Sequence, residues 1–383
     1  MDGIIRKTCH KAKSLIPVPL KKKIRNYIQY RDTLKQLNIK YSNGRFILMA
    51  TPEHGNLGDH AIAEAEHHFL SDYFPDRQVC EVTGNCFRLM KKEIMEKIHH
   101  KDILFISGGG FLGSLWLNEE ELVREIIHSF PENKIIVFPQ TIFFENNEHG
   151  DQQFRESGKV FSGHRQLLIS VRDKASRIVA EKLIGDSCKQ PVLFAPDIVS
   201  YHPPLEEVKG PVSSREGILA CLRKDKEKVV SEEVHLILSR IAEENNCSLQ
   251  YTDTVIEDRI TPGTRSKYIR EKLGEFYTAR LVVTDRLHGM LFAAITDTPC
   301  IAMDNSSGKV AGVYEWISHL DYVRLAADLN ELQSISMELL QKTSNSYDFE
   351  KLKPVFDDLA SNICKFVTGK DGEKGNPAEG EQS

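Results

Sequence analysis

The stretch that decides the fold is Phe46-Ile-Leu-Met-Ala50, followed by Thr51-Pro-Glu-His-Gly-Asn-Leu-Gly-Asp59. A run of five residues with no polar member reads as a strand covered on both faces. Gly55 and Gly58 permit a tight turn behind it, and Asp59 is a candidate cap for a helix running to Tyr73. Strand, glycine turn and helix make the repeating unit of a doubly wound parallel sheet. The unit recurs at Ile103-Leu-Phe-Ile-Ser, Ile135-Ile-Val-Phe-Pro, Leu167-Leu-Ile-Ser-Val and Val192-Leu-Phe-Ala, with helical spacing between them, as from Asp173 to Ile184.

A second set follows at Gly217-Ile-Leu-Ala-Cys-Leu, Ser248-Leu-Gln-Tyr-Thr, Leu281-Val-Val-Thr and Cys300-Ile-Ala-Met. Between the sets, His202 to Ser214 is polar and turn-rich. The expected organisation is α/β: a basic lead-in at 1–44, a Rossmann-like domain at 45–205, and a linker at 206–214. A second Rossmann-like domain spans 215–368, and a polar tail at 369–383 is expected to be disordered. Two such domains place their carboxyl-end loops across one cleft, where ligands of open parallel sheets bind.

Composition agrees. The 383 residues are 40% hydrophobic and 27% charged, ordinary for a globular chain of two or three domains. No apolar run approaches the ~20 residues of a membrane span, and no signal-peptide pattern opens the chain. The eight cysteines show no Cys-x-x-Cys or zinc-finger spacing, so reduced thiols in a cytoplasmic protein are expected. Residues 1–40 hold eleven Lys/Arg against Asp2 and Asp32, a net +9, whereas the whole chain carries −5. A basic arm on an acidic body argues against nucleic-acid binding. It allows attraction to an anionic membrane surface, or a solvated lead-in whose helix Pro17 and Pro19 would interrupt.

Candidate site residues follow the strands. Asn56 and Asp59 could hydrogen-bond ligand hydroxyls, or could belong to a plain strand-to-helix turn. Ser107-Gly-Gly-Gly-Phe-Leu-Gly113 contains Gly108-x-Gly110-x-x-Gly113, but it lies outside the first βαβ unit and lacks the later acidic residue of a dinucleotide site. A backbone surface for a sugar or phosphate at Gly109 and Gly110 fits better. His60, Glu64 and His67 share a helical face with His68 beside them; a polar face explains them as well as a metal does, and no metal is expected. Arg172, and less strongly Arg223, follow strands where a guanidinium suits phosphate or carboxylate. In Leu281-Val-Val-Thr-Asp-Arg-Leu-His-Gly289, Asp285 can start a helix with His288 in its first turn. Lys309 opens the next helix, where a cation opposes the dipole unless an anion binds; full solvation is the alternative. Spacing alone thus points to an anionic substrate and leaves the reaction unnamed.

Taken in order, Gly55-Asn-Leu-Gly-Asp-His-Ala61, Phe138-Pro-Gln-Thr141, Ser170-Val-Arg-Asp173, Cys221-Leu-Arg223 and Val283-Thr-Asp-Arg-Leu-His-Gly-Met290 resemble the polysaccharide pyruvyl transferase family, with Thr298-Pro-Cys and Lys309-Val continuing the match. The resemblance runs from about residue 45 to 330. It implies a GT-B-like fold and transfer of a pyruvyl group from phosphoenolpyruvate to a sugar of a cell-surface polysaccharide or its lipid-linked precursor. The product would be a pyruvate ketal, with phosphate released. It implies that Arg172, His288 and Lys309 serve the donor, with Arg223 and Gly289 beside them. Asn56, Gly109 and Gly110 fall on the acceptor side, and no cofactor is needed. The loop departs from the family pattern at Phe111 and Ser114, where relatives often carry Asn and Asp.

The chemistry is consistent with that assignment. Protonation of the enol carbon by His288 makes its neighbour electrophilic, and Asp59 is the candidate for activating the acceptor hydroxyl. The main alternatives are a nucleotide-sugar glycosyltransferase of the same architecture and a non-catalytic polysaccharide-assembly protein. The acceptor sugar and the oligomeric state are not legible in the sequence.

Overall fold

The computed structural model describes residues 18–39, 44–185, 190–201, 208, 215–225, 227, 230–342 and 344–369. The expected linker, apart from residue 208, and the tail beyond 369 lie outside them, as do residues 1–17. The chain opens with α1 (Val18–Gln36) and then alternates: β1 (Phe46–Thr51), α2 (Leu57–Tyr73), β2 (Val79–Thr83), α3 (Gly84–Met95), β3 (Ile103–Ile106), β4 (Gly109–Gly113), α4 (Leu117–Ser129), β5 (Lys134–Phe143), α5 (Glu148–Gly163), β6 (Leu167–Val171), α6 (Lys174–Ile184) and β7 (Leu193–Phe194). These strands form one sheet in the order β2-β1-β3-β5-β6-β7, with β4 paired to β5.

The second half holds β8 (Glu216–Cys221), α7 (Glu233–Glu244), β9 (Leu249–Thr252), α8 (Arg265–Thr278), β10 (Ala279–Thr284), α9 (Leu287–Ile295), β11 (Cys300–Met303), α10 (Lys309–Ile317), β12 (Val323–Ala326), α11 (Leu329–Leu339) and α12 (Lys353–Thr368). Its sheet runs β12-β11-β10-β8-β9. Every ladder between named strands is parallel. The two Rossmann-like halves follow directly from the apolar runs. The central strands β1, β3, β6 and β11 are buried almost throughout, because helices cover both faces.

Three apolar clusters build the core. One lies on the outer face of the first sheet, and another on the outer face of the second. The third is shared: Phe46, Phe69, Phe105 and Phe138 of the first half join Cys221, Phe276, Met290 and Phe292 of the second. The halves are therefore fused along one side of the cleft by continuous packing.

Two segments differ from expectation. The lead-in is not separate: α1 buries Tyr30 and Leu34, with Leu37 just past its end, in the outer cluster of the first sheet. Pro19 does not interrupt the helix, because it sits in the first turn, where a backbone N–H has no intrahelical partner to lose. Helix α12 lies against the first half rather than within the second. Phe356 packs with Phe69 and Tyr201, and Lys134 of β5 donates to the carbonyls of Phe366 and Val367 at 2.8 Å. Among the described residues, Cys80, Cys86, Cys221, Cys247, Cys300 and Cys364 are free thiols, and no helix is long and apolar enough to cross a membrane.

Candidate active site

The carboxyl ends of both sheets face one another. Arg172 follows β6, and its guanidinium is only 1% exposed. Nε donates to Thr141 Oγ1 at 2.9 Å, and Nη1 pairs with the buried Asp197. The remaining nitrogen, Nη2, faces the glycine loop. A Cβ placed on Gly110 would lie 2.8 Å from Nη2 and 3.6 Å from Lys309 Nζ. Only a residue without a side chain lets these two cations from opposite halves approach the same stretch of backbone. The structure thus sets Gly110 beside the expected donor cations.

Lys309 begins α10 as expected, but its side chain is only 12% exposed rather than fully solvated, with Nζ 2.6 Å from Glu227 Oε2. Burial lowers its pKa, while the Glu227 carboxylate works the other way. Glu227 also accepts from Arg223 Nη1 and from Trp116 Nε1, each at 3.1 Å. Burial would raise the pKa of this carboxyl, yet Lys309, Arg223 and Trp116 together leave it lowered.

His288 occupies the first turn of α9, and its Nε2 lies 3.6 Å from Asp197 Oδ2, longer than a hydrogen bond. Asp197 therefore stands between Arg172 and His288. Burial alone would push its pKa up, but the Arg172 guanidinium, with His288 and the Val199 N–H, holds it at about 2. The other edge of the imidazole packs on Gly58, where a Cβ would overlap the ring. That contact brings the start of α2, where Asp59 is the next residue in the chain, onto His288.

The loop that carries Asp59 is pinned across the gap. Leu57 N–H donates to Thr254 O at 2.8 Å and Ile256 N–H to Gly55 O at 2.9 Å. The cap of α2 is Asn56 rather than Asp59: its Oδ1 accepts from Gly58 N–H at 3.1 Å, while its Nδ2 donates to Asp59 Oδ2 at 2.8 Å. Asp59 is thereby oriented, with its carboxylate partly exposed.

Other expectations are redrawn. Asp285 does not cap α9; the cap position is Arg286, with no side-chain cap bond, and Asp285 Oδ1 accepts the Arg223 N–H at 2.8 Å. Gly289 abuts the Thr284 hydroxyl, so it serves close packing of α9 on β10. The Gly108-x-Gly110-x-x-Gly113 stretch is strand β4, with no helix opening on it, and Gly109 there has φ 144°. Ser107 and Gly108 are anchored from below by Glu66, which accepts from Ser107 Oγ at 2.8 Å and Gly108 N–H at 2.6 Å. Complete burial pushes the Glu66 carboxyl up to about 8. Ser114, at the loop's divergent position, donates to Glu145 at 3.1 Å. The helical histidines disperse: His60 meets His54 O, His67 meets Glu81, and Glu64 accepts from Ser266. Among the described residues, no group of three or more His, Cys, Asp or Glu could hold a metal ion.

Sequence reasoning missed Asp197, Glu227 and Arg286. Arg286 bonds Asp225 at 2.6 Å and Asp253 at 2.9 Å, which places it in the same charged wall. Its position two residues before His288 was a usable signal. Nothing local marks Asp197, whose partners Arg172 and His288 are distant in the chain; Glu227 stands four residues after Arg223, but its partners Lys309 and Trp116 are distant.

Comparison with known proteins matches this geometry to a family. General stress protein 30 of Bacillus subtilis (strain 168) is 32% identical over 323 residues, covering 83% of this chain and 92% of that protein. Pyruvyl transferase 1 of Schizosaccharomyces pombe (strain 972 / ATCC 24843) is 25% identical over 298 residues, 73% of this chain and 72% of its own length. The crystal structure of an uncharacterized protein from Klebsiella pneumoniae subsp. pneumoniae NTUH-K2044 is similar in fold, with a TM-score of 0.51 at 18% identity, over 79% of this chain and 98% of that one. The family model for polysaccharide pyruvyl transferase matches residues 56–307, a span that holds the capping Asn56, the Arg172–Asp197–His288 cluster and Arg223, Glu227 and Arg286, and that ends just before Lys309. On that match, the chain belongs to the polysaccharide pyruvyl transferase family.

Proposed function

We propose that this transferase moves the pyruvyl group of phosphoenolpyruvate onto two hydroxyls of a sugar in a cell-surface polysaccharide or its precursor. The observation that carries the reading is the meeting of Arg172 and Lys309 at Gly110, with His288 joined to Arg172 through Asp197 and lying against Gly58. Two cations beside bare backbone, one buried and one mostly covered, fit a small, multiply charged anion. Its phosphate and carboxylate would replace water in charge-assisted bonds worth about 1.5–3 kcal/mol each.

His288 delivers a proton to C3 of the enol, so C3 becomes a methyl group and C2 an oxocarbenium-like centre. One sugar hydroxyl adds to C2, and its proton passes to Asp59. The bond from C2 to the phosphate oxygen then breaks, and phosphate leaves with that electron pair. The second hydroxyl adds to C2 and closes the ketal, its proton leaving with phosphate. Asp197 orients His288 and Arg172 throughout, and the Asn56 bond keeps the Asp59 carboxylate turned toward the acceptor.

Calorimetric titration with phosphoenolpyruvate, paired with a phosphate-release assay, tests the reading. Lys309→Ala is expected to weaken donor binding by roughly 10- to 100-fold. His288→Ala should keep most of the binding and lose about 100-fold or more in phosphate release. Near-normal release by His288→Ala would overturn its role. Stabilisation by a UDP-sugar, with none by phosphoenolpyruvate, would make the chain a glycosyltransferase instead.

A further inference from the structure

Helix α1 is amphipathic twice over. Its inner face buries Asn26, Tyr30 and Leu34 against the first half, with Leu37 just past its end. Its outer face exposes Ile24, Tyr27 and Ile28, at 42, 51 and 64%. Their i, i+3, i+4 spacing makes one contiguous apolar patch. Because the inner face already supplies the packing, this patch is not a surplus of core. The same helix carries Lys21, Lys22, Lys23, Arg25, Arg31 and Lys35 against Asp32 alone, in a chain whose net charge is −5.

We propose that the outer face of α1 docks on an anionic lipid membrane. The chemistry of that surface answers both features at once. Isoleucine and tyrosine side chains enter the boundary between headgroups and acyl chains, while the long basic side chains reach anionic headgroups. A second copy of the chain is a poor occupant, because pairing this face with itself would oppose like charges. Position supports the assignment. From the inner face, Tyr30 Oη donates to Glu53 at 3.2 Å, and Glu53 stands in the loop that leads to Asn56 and Asp59. A membrane under α1 would therefore lie about one helix diameter from Glu53, where that loop begins, a placement that suits a lipid-linked sugar. The lipid-linked acceptor rests on the transfer reaction proposed above; the membrane contact does not.

Flotation of the full chain with vesicles separates the two. Wild type is expected to float with phosphatidylcholine vesicles containing phosphatidylglycerol, not with phosphatidylcholine alone, and to be released by high salt. Ile24→Asp/Ile28→Asp and Lys21→Glu/Arg25→Glu should each cut partitioning about tenfold or more. All four side chains are exposed, so thermal stability and phosphoenolpyruvate binding should be unchanged in both variants. The proposal is overturned if folded wild type ignores anionic vesicles, or if the double-aspartate variant partitions as wild type does. Conversion of a wild-type dimer to a monomer by that variant would also overturn it, making the face a self-association surface.

Discussion

Lys309 and Glu227 sit 2.6 Å apart in a wall where burial disfavours either charge alone. Burial lowers the pKa of Lys309, and Glu227 opposes that shift. In Glu227→Gln the opposition vanishes, so the ammonium gives up its proton at a lower pH than in wild type. Donor affinity that depends on this cation falls as pH rises, and the midpoint of the fall should move down in the variant. Phosphoenolpyruvate titrations across pH check this; an unmoved midpoint would mean that Lys309 does not hold the donor. The pair also shows what a linear reading can find. Arg172, His288 and Lys309 were legible because each stands just past a strand, where a parallel sheet exposes its ends. Asp197 and Glu227 were not, since a carboxylate becomes a counter-ion only through residues that folding brings near it. Trp316, whose indole donates across the cleft to the Arg172 carbonyl at 2.8 Å, was equally invisible.

At the scale of elements, the strands that the sequence showed most plainly are the interior ones. The expected list lacked β2, β4 and β12, and each omission has a reason. Val79-Cys-Glu-Val-Thr and Val323-Arg-Leu-Ala are edge strands, so charged residues interrupt their apolar runs. The glycines of β4 have no side chains to produce a pattern. Helix α12 was readable as a helix, yet not as one that returns to the first half, because its apolar face is the same whichever surface it covers. The structure makes that return energetically concrete. Phe356 is fully buried among Phe69, Tyr201 and Phe349. Phe356→Ala is expected to cost about 3–5 kcal/mol, measurable by chemical denaturation. Denaturation unchanged by more than about 1 kcal/mol would show that α12 rests on the first half without supporting it.

For the molecule as a whole, the two halves are less independent than two sheets and a connecting stretch suggest. Phe69 and Phe276 belong to one apolar cluster, and two ion pairs, Glu53 with the half-exposed Arg259 and Glu81 with the buried Arg265, link the halves beside it. Calorimetry should accordingly give one cooperative transition, with calorimetric and van't Hoff enthalpies in agreement. Two resolved transitions would mean that the shared cluster does not couple the halves. The all-parallel sheets have a consequence of a different kind, for how such a chain is made. Among the described residues no strand pairs with its neighbour through a hairpin, so each ladder must wait for a crossover to be synthesised and collapsed, and β3 adds to β1 only after more than fifty residues have passed. Ordering is therefore dominated by contacts distant along the chain, which makes it slow. Until β11 and β12 arrive, the unsealed edge of the nascent second sheet is a surface for aggregation on the ribosome, and yield in a heterologous host should depend on chaperone supply more than on the stability of the finished fold.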